Sequence, residues 1–235
     1  MGGFLVLSAC LSLLSLIALV RSLVTMTYLN IRFAHEVDPY SRAVSYYVFY
    51  GDGRQEFATS VAVLAIGTVL MLIGMWVVGI RLGGAATTFF GIWCTSLTLC
   101  AIFPTDNSKS VVSTSGLIHQ VAGASLFVSL PLAGMSLARR LGGDERWART
   151  AVVVRRMARA AMGLAAAYLA TRLPDVFPSL AIPGVLDGRG ISGLVQRALF
   201  GLEMLMLMAL TVRLLRIVVS SARERREPAR VEAAG

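Results

Sequence analysis

Between Glu56 and Arg81 the chain reads FATSVAVLAIGTVLMLIGMWVVGI, twenty-four residues without a charge. No other feature restricts the fold as much. A helix needs about 20 apolar residues to cross the hydrocarbon core of a bilayer. No water is present there to satisfy peptide N–H and C=O groups, so a crossing segment is either a helix or a strand of a closed barrel. Barrel strands are short and alternate in polarity, and this run does neither. It predicts a membrane helix over 57–80. Five further apolar stretches are of the same kind, at about 4–27, 86–103, 114–137, 152–172 and 192–218. The expected fold is therefore all-α, a polytopic bundle of about six transmembrane helices. One domain covers 1–222, and a polar, disordered cytoplasmic tail covers 223–235. Only 15% of residues are charged, against about 25% in soluble domains.

Charge sets the expected orientation. Seven arginines fall between 139 and 159, six more between 213 and 230, and Arg81 follows the second span. All three groups share one side if the N-terminus is cytoplasmic, as the positive-inside rule requires. Both termini are then inside. The loops 28–56, 104–113 and 173–191 face outward and hold most of the acids. The expected location is the bacterial cytoplasmic membrane, with anionic lipid as a partner at the inner face. The net charge of +9 does not imply nucleic acid, because it flanks apolar runs and no recognition motif accompanies it. The stretch LSAC at 7–10 resembles a lipoprotein cleavage box but has no basic segment before it, so it is read as part of the first helix. Cys10, Cys94 and Cys100 all lie in apolar runs and are expected as core residues.

Polar groups inside such a chain are the candidates for function. Glu203 stands in the middle of the sixth run, where a carboxylate costs several kcal/mol unless it is paired, protonated or turned inward. Gln196 lies two turns earlier on the same face; Arg197 lies on another face. Arg21 and His119 are possible partners for Glu203. The stretch FPTDNSKSVVSTSGLIHQ at 103–120 separates the third and fourth runs. Pro104 ends one helix, Asp106 and Asn107 turn the chain, and Ser113 or Thr114 caps the next helix. His119 then falls one turn inside, near the outer surface. The outer segment YSRAVSYYVFYGDGRQEF at 40–57 is rich in aromatics. It is either an interfacial aromatic belt or a lid over a cavity, with Gly51 and Gly53 permitting a tight turn.

Several chemistries are excluded. Two histidines are too few for a three-histidine zinc site or, with only His119 near a membrane helix, a bis-histidine haem. No phosphate-binding glycine loop or serine–histidine–aspartate order is recognisable. No metal and no cofactor are expected.

The segments Phe103-Pro104-Thr105-Asp106, Gly116-Leu117-Ile118-His119 and Gly193-Leu194-Val195-Gln196-Arg197 together resemble the bacterial membrane family labelled domain of unknown function 998. The resemblance extends over about 5–215. It implies a six-helix bundle with these residues near one mouth and no established reaction. The aromatic-rich first outer loop departs from the family's usual look.

Two functions of different class follow. The first is an enzyme acting on an isoprenoid, by analogy with small membrane terpene cyclases. A protonated acid, Asp106 or Glu203, starts a carbocation rearrangement, with His119 or Asp52 as the second polar group. Tyr46, Tyr50, Phe57 and Trp93 form an aromatic wall that stabilises the cation, and Gln196 and Arg197 bind the substrate. The second is a non-catalytic lipid-binding, transport-accessory or assembly protein in which Glu203 and His119 lock helices together. The two differ in where the acids point: into one apolar cavity, or each into its own packing. The sequence does not fix an oligomeric state.

Overall fold

The computed structural model describes residues 2–107, 112–176 and 188–225. Six helices account for most of them: α1 (Gly2–Arg32), α2 (Gly53–Val77), α3 (Gly84–Ile102), α4 (Thr114–Leu141), α5 (Ala148–Val176) and α6 (Ser192–Glu224). Short 3₁₀ turns occupy Val44–Phe49 and Gly188–Ile191. No strand occurs among the described residues, so the all-α expectation holds. Even the shortest helix, α3 with 19 residues, is about 28 Å long at 1.5 Å per residue. Helices α1 to α4 are long and apolar enough to cross a membrane, and the chain is an integral membrane protein. Helices α5 and α6 differ because arginines enter them, four in the first half of α5 and three between 197 and 216 of α6.

Each helix packs on the next, and α6 closes back on α1. Helix α6 also touches α2 and α4, which places it nearest the middle of the ring. Its buried face is correspondingly long and runs from Ser192 to Val218.

Helix α1 is inside out. Ser8, Ser12, Ser15 and Ser22 are fully buried, while Phe4, Leu14, Ile17 and Val24 are exposed. Lipid is as apolar as leucine, so helices in a membrane associate through close approach of small residues and through polar contacts. The serines supply both. Ser8 Oγ donates to the Gly74 carbonyl (2.8 Å) and Ser15 Oγ to that of Gly67 (2.7 Å). Ser22 and Ser60 exchange hydroxyl-to-carbonyl bonds of 3.0 and 3.1 Å. Positions 8, 15 and 22 of α1 thus meet 74, 67 and 60 of α2, a seven-residue period on each antiparallel helix. That period keeps the seam on one face of each helix, as in a coiled coil.

A Cβ added at Gly67 would stand 3.0 Å from the Ala18 Cβ and 3.3 Å from the Ser15 carbonyl. Gly67→Leu is therefore expected to destabilise the fold by about 1–3 kcal/mol, the usual range for overpacking. Thermal melting in detergent checks this against Gly91→Leu, where a Cβ meets nothing within 4 Å and the midpoint should stay put.

Helix ends differ modestly from expectation. Helix α2 begins at Gly53 rather than at 57 and takes Glu56 into its first turn, where the helix dipole favours a negative charge. Helix α5 continues through Pro174 to Val176; proline in a last turn forfeits only one hydrogen bond. Helix α6 reaches Glu224 and so includes the first two residues of the expected tail. The rest of that tail from 226, and 177–187 of the loop between α5 and α6, lie outside the described residues.

Candidate functional site

Two polar corners meet at one end of the bundle, the end expected to face outward. The first joins α3 to α4. Asp106 accepts from the N–H groups of Val112 (2.9 Å) and Ser113 (3.1 Å) and from the Ser113 hydroxyl (2.6 Å). Ser113 Oγ accepts from the Gly116 N–H (2.9 Å) and caps α4. The Ser113 hydroxyl, and then the Val112 and Ser113 N–H groups, hold the Asp106 carboxyl below the usual carboxylate range. A carboxyl held this way is ionised at neutral pH and has no proton to give. Gly116 is needed here because a Cβ would run into the Asp106 carboxylate. One turn further, His119 Nδ1 lies 2.8 Å from the Phe103 carbonyl. A carbonyl only accepts, so Nδ1 carries the proton and Nε2 is the acceptor of the neutral ring. The Phe57 ring lies behind it, 6.3 Å away between centroids.

The second corner fastens the loop between α1 and α2 to α6. Arg197 Nη1 donates to the carbonyls of Pro39 (2.8 Å), Arg42 (2.7 Å) and Gly193 (3.1 Å). Its Nε donates to Asn30 Oδ1 (2.5 Å) and its Nη2 to the Tyr47 hydroxyl (2.7 Å), which in turn donates to Asn30 Oδ1 (2.6 Å). Gln196 Oε1 accepts from the Val44 N–H (2.9 Å), and its Nε2 donates to the Tyr168 hydroxyl (3.3 Å). A Cβ at Gly193 would collide with the Arg42 carbonyl. The aromatic loop is therefore folded inward. Tyr47 is fully buried and Tyr46 nearly so, whereas a belt at the lipid interface would leave them exposed. Gly51, at φ +48°, makes the turn that returns the chain to α2.

Between the corners lies a cavity of about 230 Å³. Ser45 and Tyr46 line it from the loop, Thr105 from the first corner, and His119, Gln120 and Phe127 from α4. Tyr168 and Arg172 of α5 and Gln196 of α6 complete its polar lining. The rings of Phe127 and Tyr168 meet edge-on at 5.3 Å. Gly123 also faces it, and a Cβ there meets nothing within 4 Å. No aspartate or glutamate is among the described residues of this wall.

The three short segments noted in the sequence thus have one location. Gly116 and His119 build one side of the cavity, Gly193, Gln196 and Arg197 fasten the other, and Asp106 holds the corner above. The chain belongs to the family described as Protein of unknown function (DUF998). That family's model matches residues 16–213, a span that includes both corners and the cavity. No curated protein and no solved structure matches the chain.

The remaining candidate residues lie apart from the cavity wall. Glu203 is fully buried in α6, two turns beyond Gln196, and neither oxygen has a hydrogen-bond partner among the described residues. Arg21 is on the exposed face of α1 and His119 is committed to Phe103, so neither expected pairing with Glu203 forms. Arg197 and Asp106 do not pair with each other; each has the partners given above. Asp52 is exposed at the start of α2 with no capping bond. Trp93 is buried between α2 and α3, its Nε1 donating to Thr68 Oγ1 (3.4 Å). Tyr50 packs on Phe33 at 6.2 Å between centroids. The cavity therefore gathers Tyr46, His119 and Gln196, with Phe57 behind. Sequence reasoning missed Tyr168, Tyr47 and Asn30 as participants. A lone tyrosine in AAAYLA and an asparagine at the end of the first span were the available signals.

Proposed function

We propose that this is a six-span protein of the bacterial cytoplasmic membrane, both termini inside, that holds a small amphiphilic molecule in its outer cavity without transforming it. The reading rests on one observation. Among its described residues the cavity is lined by hydrogen-bonding and aromatic side chains and no carboxylate, while Asp106, Asp52 and Glu203 each lie elsewhere. Proton-initiated cyclisation of an isoprenoid needs a protonated acid against the substrate, and the described wall offers an imidazole, the Arg172 guanidinium, amides and hydroxyls instead. At about 230 Å³ the cavity is below the roughly 300–1,000 Å³ of drug-sized ligand pockets. It suits a compact ligand, or a lipid head whose tail leaves between helices. The six-span topology is supported by the closed ring of helices and by the basic residues gathered at the end opposite the cavity.

The test is to fill the cavity. Gly123→Leu puts a side chain into open space, and leucine is favoured over glycine in a helix interior by about 0.8 kcal/mol. The variant should melt no lower than the wild type in detergent. Mass spectrometry of co-purifying small molecules should find one specific amphiphile with the wild-type protein and lose it with Gly123→Leu. Retention of the same molecule by the variant would place its site elsewhere.

A further inference from the structure

A second cavity, of about 280 Å³, lies at the other end of the bundle, where α1 begins and α2 and α6 end. Its walls are apolar, with Phe4 and Leu5 of α1, Val78 after α2 and Ile217 of α6. Its polar groups are few, and each can donate a hydrogen bond. Arg146, Arg225 and the Ser221 hydroxyl line it, and so does Trp147. Trp147 is 1% exposed, and its indole N–H is buried with no acceptor among the described residues. Buried donors are rarely left unpaired without a reason. Arg146 is already engaged, since its guanidinium holds Asp144 at 2.8 Å. Arg225 is exposed at the end of α6 and brings a positive charge to the opening.

The surroundings reinforce that charge. Arg139, Arg140, Arg149, Arg213, Arg216 and Arg223 belong to the same end, against the acids Asp144, Glu145 and Glu224. Phe4 (61% exposed) and the nearby Trp76 (74% exposed) leave the flank apolar and open toward lipid.

We infer that this inner cavity is a binding site for one anionic phospholipid. The phosphate sits among Arg225, Ser221 and the Trp147 indole, and an acyl chain runs out along Phe4. With the Trp147 ring turned toward the cavity, a phosphate oxygen supplies the acceptor the indole lacks, in a charge-assisted bond. A cationic or uncharged head would leave the arginines unmatched. A free phosphate ion would gain nothing from the apolar wall.

The test uses the full-length protein in uncharged detergent, titrated separately with short-chain phosphatidylglycerol, short-chain phosphatidylcholine and inorganic phosphate. Binding is read by native mass spectrometry and by the shift of the melting midpoint. Phosphatidylglycerol should bind at one molecule per chain, phosphatidylcholine at least about tenfold more weakly, and phosphate at millimolar concentration not at all. Arg225→Gln and Trp147→Phe should each weaken phosphatidylglycerol by about tenfold or more, the loss of one hydrogen bond to a charged group. Arg225 is exposed, so that variant decides the matter even if Trp147→Phe fails to fold. Equal binding of the two lipids, displacement of phosphatidylglycerol by phosphate, or wild-type affinity in Arg225→Gln would overturn the assignment.

Discussion

Arg197→Ala is expected to release the first outer loop. Five hydrogen bonds end on this guanidinium, three of them to carbonyls. Removing it leaves the Pro39 carbonyl without its donor and the Asn30 and Tyr47 side chains short of one. A buried acceptor without a partner costs about 1–3 kcal/mol. Part of the corner reaches water, so the whole loss is about 3 kcal/mol. Lysine should restore little, because a point charge does not reproduce the planar fork that meets several acceptors at once. Hydrogen exchange should localise the effect. Amides of Val44–Phe49 should lose protection in Arg197→Ala and in Arg197→Lys, while those of the α1–α2 seam keep it. Unchanged protection in both variants would mean that the corner is not what holds the loop.

Glu203→Met is expected to move stability the other way. The carboxyl is fully buried and both oxygens lack partners among the described residues. A buried polar group without hydrogen bonds is unfavourable, and an apolar side chain of similar volume removes the problem. A gain of about 1–3 kcal/mol follows, seen as a higher melting midpoint, with the cavity ligand still bound. A drop in stability would show that the acid has a partner that matters. Loss of the ligand would tie it to the cavity after all.

The fold was legible because a membrane allows so few alternatives. An uncharged run such as 57–80 has to be a helix, and all six apolar stretches are helices. The α1–α2 seam was harder to read. Ser8, Ser15 and Ser22 lower the polarity contrast of an otherwise apolar run only slightly, and their meaning emerges when Ser60, Gly67 and Gly74 are seen to repeat at the same spacing. At the site, local chemistry carried over well. Pro104 does end α3, Ser113 does cap α4, and His119 does fall one turn inside, all within seventeen residues of chain. Nothing local says that Arg197 reaches Pro39, 158 residues away, or that the aromatic loop folds inward rather than spreading along the lipid surface. Pairings of that range are decided by where α6 enters the ring, and a single sequence carries no record of it.

The most direct measurement is the fate of the molecule that the outer cavity is proposed to hold. Native mass spectrometry of the wild-type protein should show one amphiphile per chain. When that compound is supplied in excess and incubated for hours, extraction should return it with its mass unchanged, as expected of a carrier or sensor. A bare chain, or steady accumulation of a product of different mass or isomeric form, would contradict the account and return the cavity to chemistry.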